Sequence, residues 1–192
     1  MDNSATEVIK IRSARVEDAR AISEVHIESW RATYPGIVPQ DYIESLDVDV
    51  FTKRWADRLA SHPEMLIFVA EAGERICGFA SGGPSRAEIP GFPGELYAIY
   101  LTPGSQLKGI GSRLFGAVVD GLLRDECNAM YVWVLDQNPS KSFYRRMGGQ
   151  ELSSAEIELG GRLLKEVSYG WSDLFLAADQ TRQRVRAVDK SR

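Results

Sequence analysis

Cysteine and histidine are scarce in this chain. Among 192 residues there are two of each: Cys77, Cys127, His26 and His62. Neither cysteine has a CxxC partner, so a disulfide framework has no support and a zinc site would be short of ligands. A reduced, cytoplasmic setting without a metal is the expectation. Long apolar runs are also missing. No segment approaches the roughly 20 apolar residues that a bilayer-spanning helix needs. The opening "MDNSATEVIKIR" lacks the basic stretch and apolar run of a signal peptide. A basic excess is absent as well: 23 Lys and Arg face 27 Asp and Glu, a net charge of -4. That balance gives no global attraction to nucleic acid or to membranes. No internal repeat or low-complexity segment interrupts the chain.

Several phosphate and hydrolase motifs fail as well. Gly104 and Gly109 have the spacing of a Walker A loop, but Ile110 stands where its lysine belongs. A dinucleotide fingerprint would need glycine where Leu114 stands. No GxSxG elbow exists to support serine hydrolase chemistry.

What is present suits one substantial core, with 44% hydrophobic residues. "VIKIRSAR" alternates as a half-buried strand, and "VEDARAISEVHIESWRATY" follows with helical spacing. A short helix is predicted near Tyr42 to Leu46 and a longer one from about Val50 to Ala60. "MLIFVAEAGERICGFASGG" reads as two strands turning at Gly73. "ELYAIYL" is the fourth strand and ends at Pro103-Gly104. Residues Gly109 to Asp125 form an amphipathic helix, and "AMYVWVL" is a strand buried on both faces. "NPSKSFYRRMGG" has Asn at a helix start, Pro beside it and Gly after the end. Strands near Glu151 to Leu159 and Leu163 to Trp171 complete a mixed α/β (α+β) sheet with helices on both faces. The expected organisation is one domain over residues 1–176. The polar, basic remainder, 177–192, with Arg182, Arg184, Arg186, Lys190 and Arg192, reads as a loose tail.

The stretch "LTPGSQLKGIGSRLF" holds the strongest signal. Gln106-Leu107-Lys108-Gly109-Ile110-Gly111 is a Q-x-x-G-x-G turn between a strand and a helix. Backbone N–H groups at a helix start bind phosphate oxygens, and glycines admit the ligand closely. Lys108 adds a charge nearby. Taken alone, the turn is equally open to a steric reading, in which the glycines serve only the chain reversal.

Followed by "MYVWVLDQNPSKSFYRRMGG", this stretch resembles the GNAT superfamily of acyl-CoA-dependent N-acetyltransferases. The resemblance rests on Gln106, Gly109, Gly111, Asn138 and Phe143-Tyr144 in order, and it extends from about Val8 to Trp171. "SWRATYPGIVPQDYIESL" is similar to the helix-loop-helix that shapes the acceptor pocket in many bacterial members. Two departures stand out. Leu107 replaces a glycine common in the family, and Gly148-Gly149 replaces a Gly-Phe ending whose aromatic would pack under the cofactor.

The resemblance implies about seven strands, four or five surrounding helices and a V-shaped splay between the fourth and fifth strands. It implies acetyl transfer from acetyl-CoA, as co-substrate, directly to a primary amine. The turn from Gln106 to Ser112 (with Leu107, Lys108, Gly109, Ile110 and Gly111) would hold the CoA pyrophosphate. Ile99, Tyr100 and Leu101 would pair with the pantetheine arm as a strand pairs with an extended peptide, and the Leu101 N–H would face the thioester oxygen. Asn138 and Ser142 would complete the cofactor contacts. Tyr144 takes the position of the acid that protonates the departing thiolate, or else packs in the core beside Phe143. Glu95 takes the position of the base in histone-acetylating members, or else is a salt-bridged strand-end carboxylate. Glu28 and Asp41, acting through water, are its rivals. Trp30, Tyr34 and His26 either line the acceptor pocket or belong to the core. A small-molecule amine is the expected partner. Protein N-termini or lysines and a non-catalytic acyl-CoA module are the alternatives, and a homodimer follows from family habit.

Overall fold

The computed structural model describes residues 8–87 and 89–190. The first seven residues, part of the stretch read for a signal peptide, and Arg192 of the basic tail lie outside them. Seven strands form one sheet: β1 (Ile9–Ser13), β2 (Leu66–Ala72), β3 (Arg75–Pro84), β4 (Gly94–Leu101), β5 (Met130–Leu135), β6 (Gln150–Leu159) and β7 (Arg162–Trp171). Their spatial order is β1-β2-β3-β4-β5-β7-β6. Every neighbouring pair is antiparallel except β4 and β5.

Helices cover both faces. On one side lie α1 (Ala19–Thr33), α2 (Gln40–Glu44) and α3 (Val48–Ser61). Ile22 and Val25 of α1 and Trp55 of α3 pack there on Val69 and Phe79 of the sheet. The start of α1 is tied to the sheet by Arg12, which bonds Asp18 at 2.6 Å and Glu71 at 3.1 Å. Asp47 caps α3 by accepting the Val50 N–H at 2.8 Å, the ordinary role of Asp at a helix start. The other side carries α4 (Ile110–Arg124), α5 (Lys141–Arg146) and α6 (Leu174–Lys190). Leu114, Phe115, Val118 and Leu122 of α4 repeat at helical spacing and are buried in the larger core cluster. Each such side chain contributes about 1.5–3 kcal/mol of hydrophobic stabilisation.

The parallel pair sets the shape. Strands β4 and β5 match at only two positions, Gly94 with Met130 and Glu95 with Tyr131. The β3–β4 register shifts between Ser81 and Gly82, which oppose Ala98 and Leu96 and leave Tyr97 as the extra residue. A bulge of this kind bends its strand and raises the local twist. Here it coincides with the point where β4 leaves β5, so the expected splay between the fourth and fifth strands is present.

Two expectations need correction. The region read as a loose tail is helical, and the boundary at 176/177 falls inside α6. Leu174, Ala177, Ala178 and Thr181 form a buried stripe at spacings of three and four that packs toward α4. The stripe is built largely of small residues, and the arginines that follow it, Arg182, Arg184 and Arg186, made the segment read as polar. Among the described residues six α-helices therefore surround the sheet, one more than the upper expectation of five. The second concerns the aromatic expected after Gly148, whose packing place is filled from elsewhere. A Cβ on Gly149 would lie 2.7 Å from the Trp171 ring, so Trp171 fills the space that the missing aromatic would take. Its indole N–H donates to the Met147 carbonyl at 2.9 Å.

The two sides of α6 give a direct check. Leu174→Ala should cost about 2–4 kcal/mol in urea unfolding, as large-to-small changes in packed cores do. Phe175→Ala, on the exposed side, should stay within about 0.5 kcal/mol. Equal and negligible effects would return this segment to a loose tail.

Candidate active site

Where β4 and β5 part, main-chain groups of β4 lose a strand partner. The Thr102 N–H donates to Cys77 on β3 at 2.9 Å. Strand alternation therefore turns the Leu101 amide the other way, into the gap. The Leu101 carbonyl is already taken there by the Ser29 hydroxyl of α1 at 2.8 Å. This bond and the Thr102–Cys77 bond anchor Leu101 from its carbonyl side, while its own N–H faces the opening.

A cavity of about 650 Å³ fills the gap. Ile99, Tyr100 and Leu101 line it from β4, and Gln106, Leu107 and Gly111 from the turn before α4. Asn138, Ser142 and Tyr144 line it from the segment after β5, and Trp30 and Tyr34 from α1 and its end. The structure thus brings together most of the residues expected from the sequence. Lys108, Gly109, Ile110 and Ser112 belong to the same turn and helix start without lining the cavity. The Ser112 hydroxyl instead points to the Met147 sulfur at 3.6 Å.

The turn has the form that an anion site needs. Gly109 is left-handed, with φ of 77°, and Ile110 then begins α4. The first N–H groups of such a helix have no internal acceptor and carry the positive end of its dipole. At Gly111 a Cβ would lie 3.3 Å from the Phe143 ring, so the missing side chain keeps α4 against α5 and the approach open. Leu107 adopts φ of 60° and is almost wholly exposed. The backbone bend customary for glycine at this position is kept with leucine, at a steric cost of about 1–2 kcal/mol. Turn, glycines and open strand edge fit the pyrophosphate and extended arm of acetyl-CoA.

At the far wall, Asn138 commits both ends of its amide. Its oxygen accepts the Ser140 N–H at 2.8 Å, and its nitrogen donates to the Tyr34 hydroxyl at 3.0 Å. Tyr34 lies near Tyr100, whose hydroxyl accepts from the Trp30 indole at 3.0 Å. Tyr144 is buried, and its hydroxyl has no hydrogen-bond partner among the described residues. Burial, and then the nearby Tyr100, push its pKa upward, so it is a protonated phenol at neutral pH. The core and cavity readings of Tyr144 are both satisfied: its ring packs near Phe143 and Tyr169 while its side chain borders the opening.

Other expectations fare differently. Glu95 is buried outside the cavity lining. One of its oxygens takes the Arg86 guanidinium at 2.5 Å. The other accepts the Arg86 backbone N–H at 3.0 Å, the Arg86 Nε at 3.1 Å and the Tyr131 hydroxyl at 3.1 Å. The salt-bridged reading describes it, because both carboxylate oxygens are engaged by Arg86 and one also by Tyr131. Glu28 and Asp41 are exposed and away from the cavity. His26 lies behind Tyr100, its ring stacked at 4.8 Å, with Phe51 edge-on at 4.9 Å. It is a core residue rather than a pocket wall.

Reasoning from sequence missed Tyr97, Trp133, Arg86, Arg146 and Glu166, all of which line the cavity. For Glu166 a signal exists in "LLKEVS", an acid on the same strand face as two inward residues.

Residues 23–149 match the acetyltransferase (GNAT) family, and the chain belongs to it. It is an acyl-CoA-dependent N-acetyltransferase. It is 40% identical to the uncharacterized N-acetyltransferase YuaI of Bacillus subtilis, over 87% of this chain and 95% of that protein. A spermidine N(1)-acetyltransferase of Thermoplasma acidophilum is 33% identical over 55% of this chain and 65% of its own length. Among solved structures, the PaiA N-acetyltransferase of Thermoplasma acidophilum in complex with coenzyme A superposes with a TM-score of 0.65. It is 27% identical, covering 83% of this chain and 98% of that one. No helix among the described residues is long and apolar enough to cross a membrane.

His26 provides a test of the site's rear wall. Burial, with a smaller contribution from Arg58, lowers its pKa to about 4, against about 6.5 when unfolded. The unfolded chain therefore binds a proton that the folded chain refuses between those values. This contribution is complete above pH 6.5 and is lost as pH falls toward 4, by about 3 kcal/mol. His26→Phe should flatten the stability profile across that window. Parallel wild-type and variant profiles in urea unfolding would contradict the neutral, buried assignment.

Proposed function

We propose that the chain transfers the acetyl group of acetyl-CoA to a primary amine of a small molecule, directly and within a ternary complex. The observation that carries this reading is the single cavity joining the α4 N-terminus, the open β4 edge and Tyr144. Its enclosed, aromatic-rich acceptor half suits a small ligand better than a polypeptide. The relative named for spermidine lends further support.

Each part of the site has work in that reaction. The N–H groups at the start of α4, with Gln106 and Lys108 beside them, hold the pyrophosphate. The β4 edge from Ile99 to Leu101 hydrogen-bonds the pantetheine. The Leu101 N–H points at the thioester oxygen and stabilises the negative charge that develops there. The acceptor must arrive as the free amine, because a protonated nitrogen has no lone pair. An alkylamine of pKa about 10.4 is free in only about one molecule in 10³ at pH 7. The nitrogen forms its bond to the carbonyl carbon, the carbon–sulfur bond breaks, and the nitrogen gives up a proton to solvent water. Tyr144 donates its phenolic proton to the leaving thiolate. Burial that keeps the phenol protonated also makes its phenolate short-lived, so it regains a proton readily from water.

Calorimetric titration should show acetyl-CoA binding, and absence of binding at millimolar concentration would overturn the proposal. Tyr144→Phe should lower kcat for thiol release about 10²-fold or more, within the range for a general acid. Its acetyl-CoA affinity should match the wild type. Undiminished turnover would remove Tyr144 from the acid role.

A further inference from the structure

Resting on that acetyltransferase reading, we infer that Glu166 receives the positive charge of the acceptor and makes this pocket selective for cationic amines. Glu166 lies on β7 directly opposite Leu135 of β5, with Leu164 and Ser168 on the same strand face. Both of those neighbours are buried, and Glu166 is half-buried between them. Among the described residues it is the only carboxylate lining the cavity, and none forms an ion pair or hydrogen bond with it.

The surrounding charges leave it uncompensated. Arg86 lines the same cavity, but its guanidinium is bound to Glu95 and lies 4.4 Å over the Tyr97 ring. Arg86 and Glu95 together are neutral, so Glu166 adds a net negative charge at this end. Lys165, its neighbour in sequence, projects from the opposite face of the strand and is exposed. Burial and the field of Glu95 raise the Glu166 pKa, the mark of a carboxylate that lacks a cation. Trp30, Tyr34, Tyr97 and Trp133 form walls of the cavity. Their electron-rich faces favour a cation, and they exclude water that would screen the carboxylate. At the other end, Arg146 and the α4 N-terminus suit the anionic cofactor. The cavity is therefore divided by charge, with an anion end for acetyl-CoA and a cation end for the acceptor. A di- or polyamine satisfies this arrangement, because one nitrogen reacts while another keeps its charge.

The test compares Glu166→Gln and Glu166→Asp with the wild type, using spermidine, 1,4-diaminobutane and aniline, which is uncharged at neutral pH. Glu166→Gln should raise KM for the two aliphatic amines about ten- to hundredfold, the usual scale for losing a charge-assisted bond, with a smaller change in kcat. It should leave acetyl-CoA binding and aniline turnover unchanged, and Glu166→Asp should restore part of the loss. Calorimetry of spermidine with the CoA-bound wild type adds a readout independent of turnover. Equal effects on spermidine and aniline, a wild-type preference for aniline, or no spermidine binding to the CoA complex would each overturn the inference while leaving acetyl transfer standing. Failure of acetyl-CoA to bind would instead remove the acetyltransferase reading beneath it.

Discussion

The separation of β4 from β5 is the constraint from which the rest of the site follows. Two adjacent strands normally satisfy each other's main-chain groups along their length, and leaving such groups unpaired inside a protein is costly. Here pairing stops after Glu95 and Tyr131. The exposed edge from Ile99 to Leu101 then needs another partner, and an extended ligand with amide groups of its own is chemically suited to be one. The fold guards the opening from both sides. The bulge at Tyr97 directs β4 away, and the Ser29 bond to the Leu101 carbonyl holds the peptide in place. The α4 helix begins at the same end of β4, so its dipole and free N–H groups lie where the strand edge runs out.

Opposing walls of the opening are joined by hydrogen bonds between residues far apart in sequence. Asn138 reaches Tyr34 across 104 positions, and Trp30 reaches Tyr100 across 70. These links connect the end of β5 to α1 and to β4. The aromatic rings consequently have two duties. Their bodies pack the small core around Val38, Ile43 and Leu164, while their polar edges hold the gap at a fixed width. Preorganisation of this kind lets an enzyme stabilise a transition state without first rearranging.

Local pattern made much of this legible in the sequence. Alternation and helical spacing located all seven strands and five of the helices, because their apolar faces are strong. The Q-x-x-G-x-G turn was readable because glycine marks its backbone geometry, whereas Asn138 and Tyr144 were named through the family resemblance. The unreadable parts depended on tertiary partners. Glu95 was open to a base or a salt-bridged reading and His26 to a pocket or a core reading, and Arg86 and the ring of Phe51, Trp55, Phe79 and Tyr100 decide between them. Those partners come from four different elements. The α6 helix was hidden for another reason: its buried stripe uses small residues, Ala177, Ala178 and Thr181, whose weak hydrophobic signal is followed directly by the basic run from Arg182.

The same contrast explains why two glutamates in one site differ in meaning. Glu95 is more deeply buried than Glu166, yet it has the Arg86 guanidinium, a backbone N–H and the Tyr131 hydroxyl. Those bonds hold Glu95 in the wall and tie Arg86 to the start of β4. Glu166 is less buried but lacks such donors, so its charge is directed into the cavity rather than neutralised in the wall. Burial alone therefore does not identify the functional carboxylate. What distinguishes it is an unmet electrostatic demand facing open space, in a place where the aromatic walls would keep that demand strong.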